Sequence, residues 1–157
     1  MAYRFDSFYI GGAWVKPSTT DVLTLENPAT HAPFATVPDA TPADAVAAIE
    51  AAASALPAWS ATPLAKRVDL MQKALEIFKT YRDEIIRLET LELGAPVSYS
   101  ANAHCDYQFT RIESYIRESQ KVVLEEQFEQ STVVREPIGV IACITPWNYP
   151  LGQVVQK

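Results

Sequence analysis

The chain has 157 residues, with 13 Lys and Arg against 19 Asp and Glu, and a formal net charge of −6. At 48% hydrophobic and 20% charged, it is globular rather than disordered, and a single domain of this length buries roughly 68–70% of its unfolded surface. The acidic balance argues against a nucleic-acid partner, because so few scattered Lys and Arg cannot assemble the basic face that phosphates require.

The opening MAYRFDSFYI carries Arg4 and Asp6 where a signal peptide needs an unbroken apolar stretch. A strand pair is expected around Gly11-Gly12, which separates two short runs, FYI and AWV, rich in aromatic and β-branched residues. Two more strands are expected in LTLEN and PFATVP, joined through a turn at Asn27-Pro28. From Thr41 the period changes. Thr41, Pro42 and Asp44 supply an N-cap, a proline at the first helical position and an acid at the third. Val46, Ile49, Ala53 and Leu56 mark the stripe expected to be buried, and Pro57 is expected to end the helix. A membrane span needs ~20 apolar residues in a row, and the longest candidate, Ala43–Leu56, is broken by Asp44 and Glu50. No membrane partner is expected, and the chain reads as cytoplasmic.

A second helix is expected to start at Thr62-Pro63 by the same capping chemistry, with Leu64, Val68, Met71, Leu75 and Phe78 on one face. A third covers about Tyr81 to Leu93 and stops at Gly94 in a left-handed cap. Pro96 opens a fourth, running to about Gln120 with Phe109, Ile112 and Ile116 on one side. Residues 121–136 alternate and read as one or two exposed strands. Ile138–Ile144 is apolar throughout, the pattern of a central parallel strand covered on both faces.

The chemically interesting segment comes directly after that run: Thr145-Pro146-Trp147-Asn148-Tyr149-Pro150-Leu151. In open α/β sheets ligands bind just beyond the carboxyl ends of strands. Pro146 and Pro150 each fix φ and stiffen the loop, so that it can aim one side chain. Asn148 is the candidate, because its amide is a neutral donor suited to an oxyanion. On spacing alone a plain turn, with Trp147 filling core and Asn148 satisfying backbone groups, explains the same residues more economically.

Other sites are weaker. Cys105 comes after His104, but adjacent helical residues point ~100° apart and form no Cys–His pair. Cys143 lies inside the apolar run, where burial makes a thiol inert. Both are expected to be small buried hydrophobes. Without Cys-x-x-Cys spacing they indicate neither a disulfide framework nor a zinc site, and His31 and His104 have no partners at metal spacing, so no metal is expected. The acidic groups at Glu89–Glu92 and Glu125–Glu129 read as solvated faces rather than as paired catalytic carboxylates.

EPIGVIACITPWNYPL resembles the signature of the NAD(P)-dependent aldehyde dehydrogenase superfamily, in which a glycine-valine strand enters Pro-Trp-Asn-(Phe/Tyr)-Pro. FYIGGAWV, the ENPAT turn, PDATPADAVAAIEAAASALPAWS, AKRVDLMQKALEIFKTYRDEI and LETLELGAPVS resemble family segments in family order. The resemblance implies an α/β fold, the N-terminal part of a Rossmann-like parallel sheet with helices. Residues 1–120 would open the cofactor-binding domain, residues 121–136 would be oligomerisation strands joining like subunits, and residues 137–157 would carry the first buried strand and the PWNYP loop. It also implies NAD or NADP as cofactor, an aldehyde as substrate, and Asn148 as one half of an oxyanion hole. Ile144, Thr145, Pro146 and Trp147 would line the cofactor beside Asn148, and Lys157, nine residues further on, would support proton transfer.

Family chains run to several hundred residues. The family's nucleophilic cysteine, general-base glutamate and glycine-rich pyrophosphate turn match nothing up to Lys157, so the sequence is expected to be an N-terminal piece, inactive by itself. In the family mechanism a cysteine thiolate adds to the aldehyde, hydride leaves for the nicotinamide from the thiohemiacetal, and water hydrolyses the thioester. A semialdehyde-oxidising or CoA-acylating relative and a non-catalytic oligomerisation module remain as alternatives.

Overall fold

The computed structural model describes residues 3–157. Its architecture is α/β, with short strands at the N-terminus, a helical middle and a hairpin before the final helix. β1 (Tyr3–Arg4), β5 (Pro33–Pro38) and β4 (Val22–Glu26) form a three-stranded sheet in the order β1-β5-β4. β1 runs parallel to β5, with Tyr3 opposite Ala35, and β4 runs antiparallel to it, with Thr24 opposite Thr36. Phe34 and Ala35 are the buried residues of β5. β2 (Phe8–Ile10) and β3 (Ala13–Val15) form the expected hairpin. Its turn places Gly11 at φ +61° and Gly12 at φ +84°, a left-handed pair that glycine adopts without steric cost.

α1 (Pro42–Ser60) begins as the sequence predicts. The Thr41 hydroxyl accepts from the Asp44 N–H at 3.4 Å, and the Asp44 carboxylate accepts from the Thr41 N–H at 2.9 Å. Ser18 adds a second clamp on Asp44 from the strand region, and these donors together hold its carboxyl below the usual carboxylate range. Two expectations fail here. Val46, Ile49 and Ala53 are exposed, and Leu56 is only half-buried. The contact α1 does make uses small residues, with Ala51 Cβ 3.7 Å from where a Cβ on Gly11 would lie. Periodicity identifies the helix but not which face has a neighbour. Pro57 does not end the helix either, but sits in its last turn. Only one ladder bond is lost there, and the next turn closes as Ala61 N–H donates to Pro57 O at 3.2 Å.

α2 (Leu64–Thr80) starts without the expected side-chain cap. The Thr62 hydroxyl instead donates back to the Ala58 carbonyl of α1 at 2.9 Å. α3 (Arg82–Leu93) stops at Gly94 with φ +73°, as the sequence implies. The fourth helix begins as α4 (Val97–Tyr99), widens into a π-helical stretch (Ser100–Asp106) and continues as α5 (Tyr107–Ser119). Val68 and Leu75 of α2, Ile86 of α3, Cys105, and Phe109, Ile112 and Ile116 of α5 form one buried cluster. Met71, expected on that face, is exposed at its edge. Arg82 closes the end of the cluster with a two-pronged pair to Asp106, at 2.7 and 2.8 Å, which holds the Asp106 carboxyl below its ordinary range.

β6 (Glu125–Gln127) and β7 (Thr132–Val134) pair antiparallel, with Glu126 opposite Val133. Ile138–Ile144 departs most from expectation. It is not a buried strand: it makes no ladder with another described segment, and Ile138 is 95% and Ile144 85% exposed. Cys143 is correspondingly exposed, not buried. The reason is that such a run is buried only by neighbours on both faces and both edges, and the described residues do not supply them; Gly139, at φ +117°, also breaks the extended course near its start.

Candidate functional site

After this open run the chain turns at Trp147-Asn148 and enters α6 (Pro150–Gln156). Tyr149, at φ −145° and ψ 68°, lies outside the α region that the following proline disfavours. Its carbonyl accepts the first helical bond, from Gln153 N–H at 2.8 Å. Tyr149 has no side-chain group capping this helix. The second helical N–H, that of Leu151, is instead taken by the Glu89 carboxylate of α3 at 3.3 Å.

Glu89 is only 4% exposed and His104 2%. His104 Nδ1 lies 3.1 Å from Glu89 Oε2, although neither of these two atoms completes an aligned hydrogen bond. Burial pushes the Glu89 carboxyl above its usual range, with the Leu151 N–H and His104 opposing that shift. Tyr149 stacks flat on the imidazole of His104, with centroids 4.6 Å apart and planes 5° apart. Tyr99 meets the same imidazole edge-on at 5.2 Å, and the two tyrosine hydroxyls are hydrogen-bonded at 2.6 Å. In the first turn of α6, Gly152 lies so close to the buried Gln108 that a Cβ there would meet its amide at 3.2 Å. Gln108 cannot easily yield, since its Nε2 donates to the Ala103 carbonyl at 2.8 Å.

The loop above this foot forms one wall of a cavity of about 500 Å³, through Thr145, Pro146 and Trp147. The opposite walls come from Leu25 of β4, Phe34 of β5, and Glu92 and Leu93 of α3. Three of the residues singled out in the sequence are therefore brought together. Ile144 is exposed outside the cavity lining, and Asn148 is exposed in the turn beside it. Lys157 also lies outside that lining, where its ammonium donates to Gln153 Oε1 at 2.7 Å on the surface of α6.

Sequence reasoning misses the Glu89–His104–Tyr149 assembly, because it places Glu89 on a solvated face and weighs His104 only as a metal or cysteine partner. A signal is present: Glu89 stands three and four residues after Ile86 and Ile85, which puts its carboxylate on the apolar side of α3. Cys105 is buried as expected, and burial pushes its thiol up to about 11.

Similarity to known proteins extends over nearly the whole chain. The model of the aldehyde dehydrogenase family matches residues 14–157. Glutarate-semialdehyde dehydrogenase of Pseudomonas aeruginosa is 31% identical over 154 residues, covering 95% of this chain and 32% of that protein. The NADP⁺-dependent succinate-semialdehyde dehydrogenase of Escherichia coli K12 is 30% identical over 153 residues, covering 94% of this chain and 32% of the relative. Among solved structures, an aldehyde dehydrogenase of Mycobacterium tuberculosis complexed with NAD⁺ superposes with a TM-score of 0.94 at 32% identity, covering all of this chain and 34% of its own. The chain thus spans about a third of the length of the relatives it matches.

Proposed function

Because the chain belongs to the aldehyde dehydrogenase family, we propose that it is the part of an NAD(P)-dependent aldehyde-oxidising enzyme that supplies the oxyanion donor, Asn148. The observation that carries this reading is that Pro146, Trp147 and Pro150 of the Pro-Trp-Asn-Tyr-Pro motif line the cavity between the β4–β5 sheet and α3, with Asn148 exposed in the turn beside it.

The chemistry asked of Asn148 comes from the reaction class. When a nucleophile adds to an aldehyde, negative charge builds on the former carbonyl oxygen. A side-chain amide donates a hydrogen bond to that oxygen without carrying a charge that would quench the nucleophile. Because the bond strengthens as the charge grows, it favours the transition state over the bound aldehyde and so raises kcat. Exposure of Asn148 in a proline-bounded turn leaves its amide accessible to such a ligand.

The cofactor end is fitted by the same loop. Pro146 and Trp147 offer apolar surface for a nicotinamide face, the Thr145 hydroxyl can bond a ribose or carboxamide, and Ile144 extends the apolar strip. When bound, the nucleotide serves as hydride acceptor. Lys157 is assigned a supporting role in proton transfer, and residues 121–136 the role of pairing with a like subunit. The second assignment is supported by exposed Val133 and Val134 on a hairpin whose outer edges pair with no other strand among the described residues. The nucleophile and general base are assigned to sequence that these residues do not contain, so the 157-residue chain is read as inactive alone.

Semialdehydes are the narrower reading of the substrate, favoured by the named activities of the two curated relatives. The test is to express the full-length protein carrying this sequence and monitor NADH and NADPH formation. Simple aldehydes and ω-carboxylated semialdehydes should be compared, each with and without coenzyme A. Aldehyde-dependent reduction of either nucleotide is expected. Its absence with both nucleotides across the whole panel would overturn the reading and favour a non-catalytic module; strict dependence on coenzyme A would assign the acylating outcome instead.

A further inference from the structure

We propose that the buried Glu89–His104 pair is a positioning latch for Asn148, holding the foot of its loop by one hydrogen bond and one ring stack. This rests on the reading of Asn148 as the oxyanion donor, and it assigns a role to two buried residues in other helices that lie outside the cavity lining.

The geometry argues for a latch rather than for core filling. A carboxylate that is 4% exposed is costly to bury, and an apolar side chain of similar size would avoid that cost. What Glu89 does with its charge is specific: Oε1 accepts the Leu151 N–H, a backbone group that the start of α6 leaves without a partner of its own. His104 then presents its ring face to Tyr149, the residue directly after Asn148. The two contacts fall on Tyr149 and Leu151, either side of Pro150, whose φ is fixed by its ring. Three consecutive residues are thereby held, and Asn148 is the next one back. Above it, the exposure of Trp147 (79%) and of Asn148 itself leaves the rest of the turn little support from packing.

An oxyanion donor contributes only when it lies at hydrogen-bond distance from the place where charge develops. Loosening its anchor by about 1 Å can cost on the order of 10²-fold in rate. The latch is therefore expected to act on kcat through Asn148 and to leave binding of aldehyde and nucleotide largely alone.

The test is a double-mutant cycle in the full-length protein carrying this sequence. Glu89→Ala is expected to lower kcat by about 10–100-fold, with KM for aldehyde and nucleotide changed only a few-fold. Glu89→Gln keeps a carbonyl oxygen for the Leu151 N–H and should restore most of the activity. In an Asn148→Ala background, Glu89→Ala should cost less than about twofold further, because residues acting as one unit are not additive. A full additive loss, or failure of Glu89→Gln to rescue, would overturn the proposal. Should Glu89→Ala not fold, Tyr149→Leu removes the stack and should reproduce the kcat loss, whereas Tyr149→Phe keeps the ring and should stay within a few-fold. If Asn148→Ala itself leaves kcat unchanged, it is the oxyanion reading that fails. The latch is then judged by amide exchange at Leu151, slow in the native protein and in Glu89→Gln and fast in Glu89→Ala; equal exchange in all three would overturn it.

Discussion

Gly94→Ala should destabilise the end of α3 in two ways, through its backbone conformation and through a close neighbour. Gly94 ends α3 at φ +73°, and its N–H donates to the Thr90 carbonyl at 3.1 Å. An alanine in that left-handed conformation costs ~1–2 kcal/mol from its Cβ alone. The added Cβ would also stand 2.8 Å from Cγ of Pro28, a ring atom in the turn after β4. Something must shift, at a cost in the usual overpacking range of ~1–3 kcal/mol. Together these predict a loss of ~2–5 kcal/mol. Gly12 separates the two effects, because it has φ +84° but nothing within 4 Å of its would-be Cβ. Gly12→Ala should therefore lose only the conformational part, ~1–2 kcal/mol. Urea titrations monitored by far-UV circular dichroism of the helices measure both variants, with midpoints compared at unchanged slope. Equal losses for the two would refute the Pro28 contact, and a loss below ~0.5 kcal/mol at Gly94 would refute the left-handed cap as well.

Glu89→Gln should alter stability in a pH-dependent way. A folded-state carboxyl pushed up by burial stabilises the fold fully below its ordinary value of 4.5, and that stabilisation is lost as pH rises through the folded value. The Gln variant should therefore melt above the native protein near neutral pH and show no advantage in acid; a difference independent of pH would contradict this. The 157-residue chain alone should form no NADH or NADPH with any aldehyde; turnover abolished by Cys105→Ala or Cys143→Ala would show that one of these thiols is the nucleophile. Because Ile138–Ile144 is exposed and unpaired, its amides should exchange quickly in that chain while those of α5 are protected, and the chain should self-associate. A monodisperse monomer with slow exchange across residues 138–144 would contradict this.

Much of the fold is legible because local rules and the fold agree. Gly11-Gly12 demands a hairpin, Thr41 and Asp44 demand a helix start, and the Val68, Leu75, Ile112 and Ile116 spacing locates one real core. The misses share a physical cause: periodicity reports which face is apolar, not what covers it. Val46 and Ile49 are apolar and exposed, and so are Ile138 and Ile144. The buried polar assembly is hidden for the opposite reason. Glu89 and His104 are charged or polar types whose default is the surface, and only their approach from two helices to Tyr149 makes burial tolerable. The π-helical stretch that carries His104 has no reliable local signature either. The Thr145–Trp147 stretch that lines the cavity stands out by its motif, while the Glu89–His104–Tyr149 packing beneath it does not.

If Asn148 donates to the developing oxyanion, its removal in the full-length protein must show in kcat. With hydride transfer shown to be rate-limiting by a deuterated aldehyde, Asn148→Ala should lower kcat by ~10²–10³, about 2.7–4 kcal/mol, with KM little changed. A kcat within a few-fold of the native value under those conditions would contradict it.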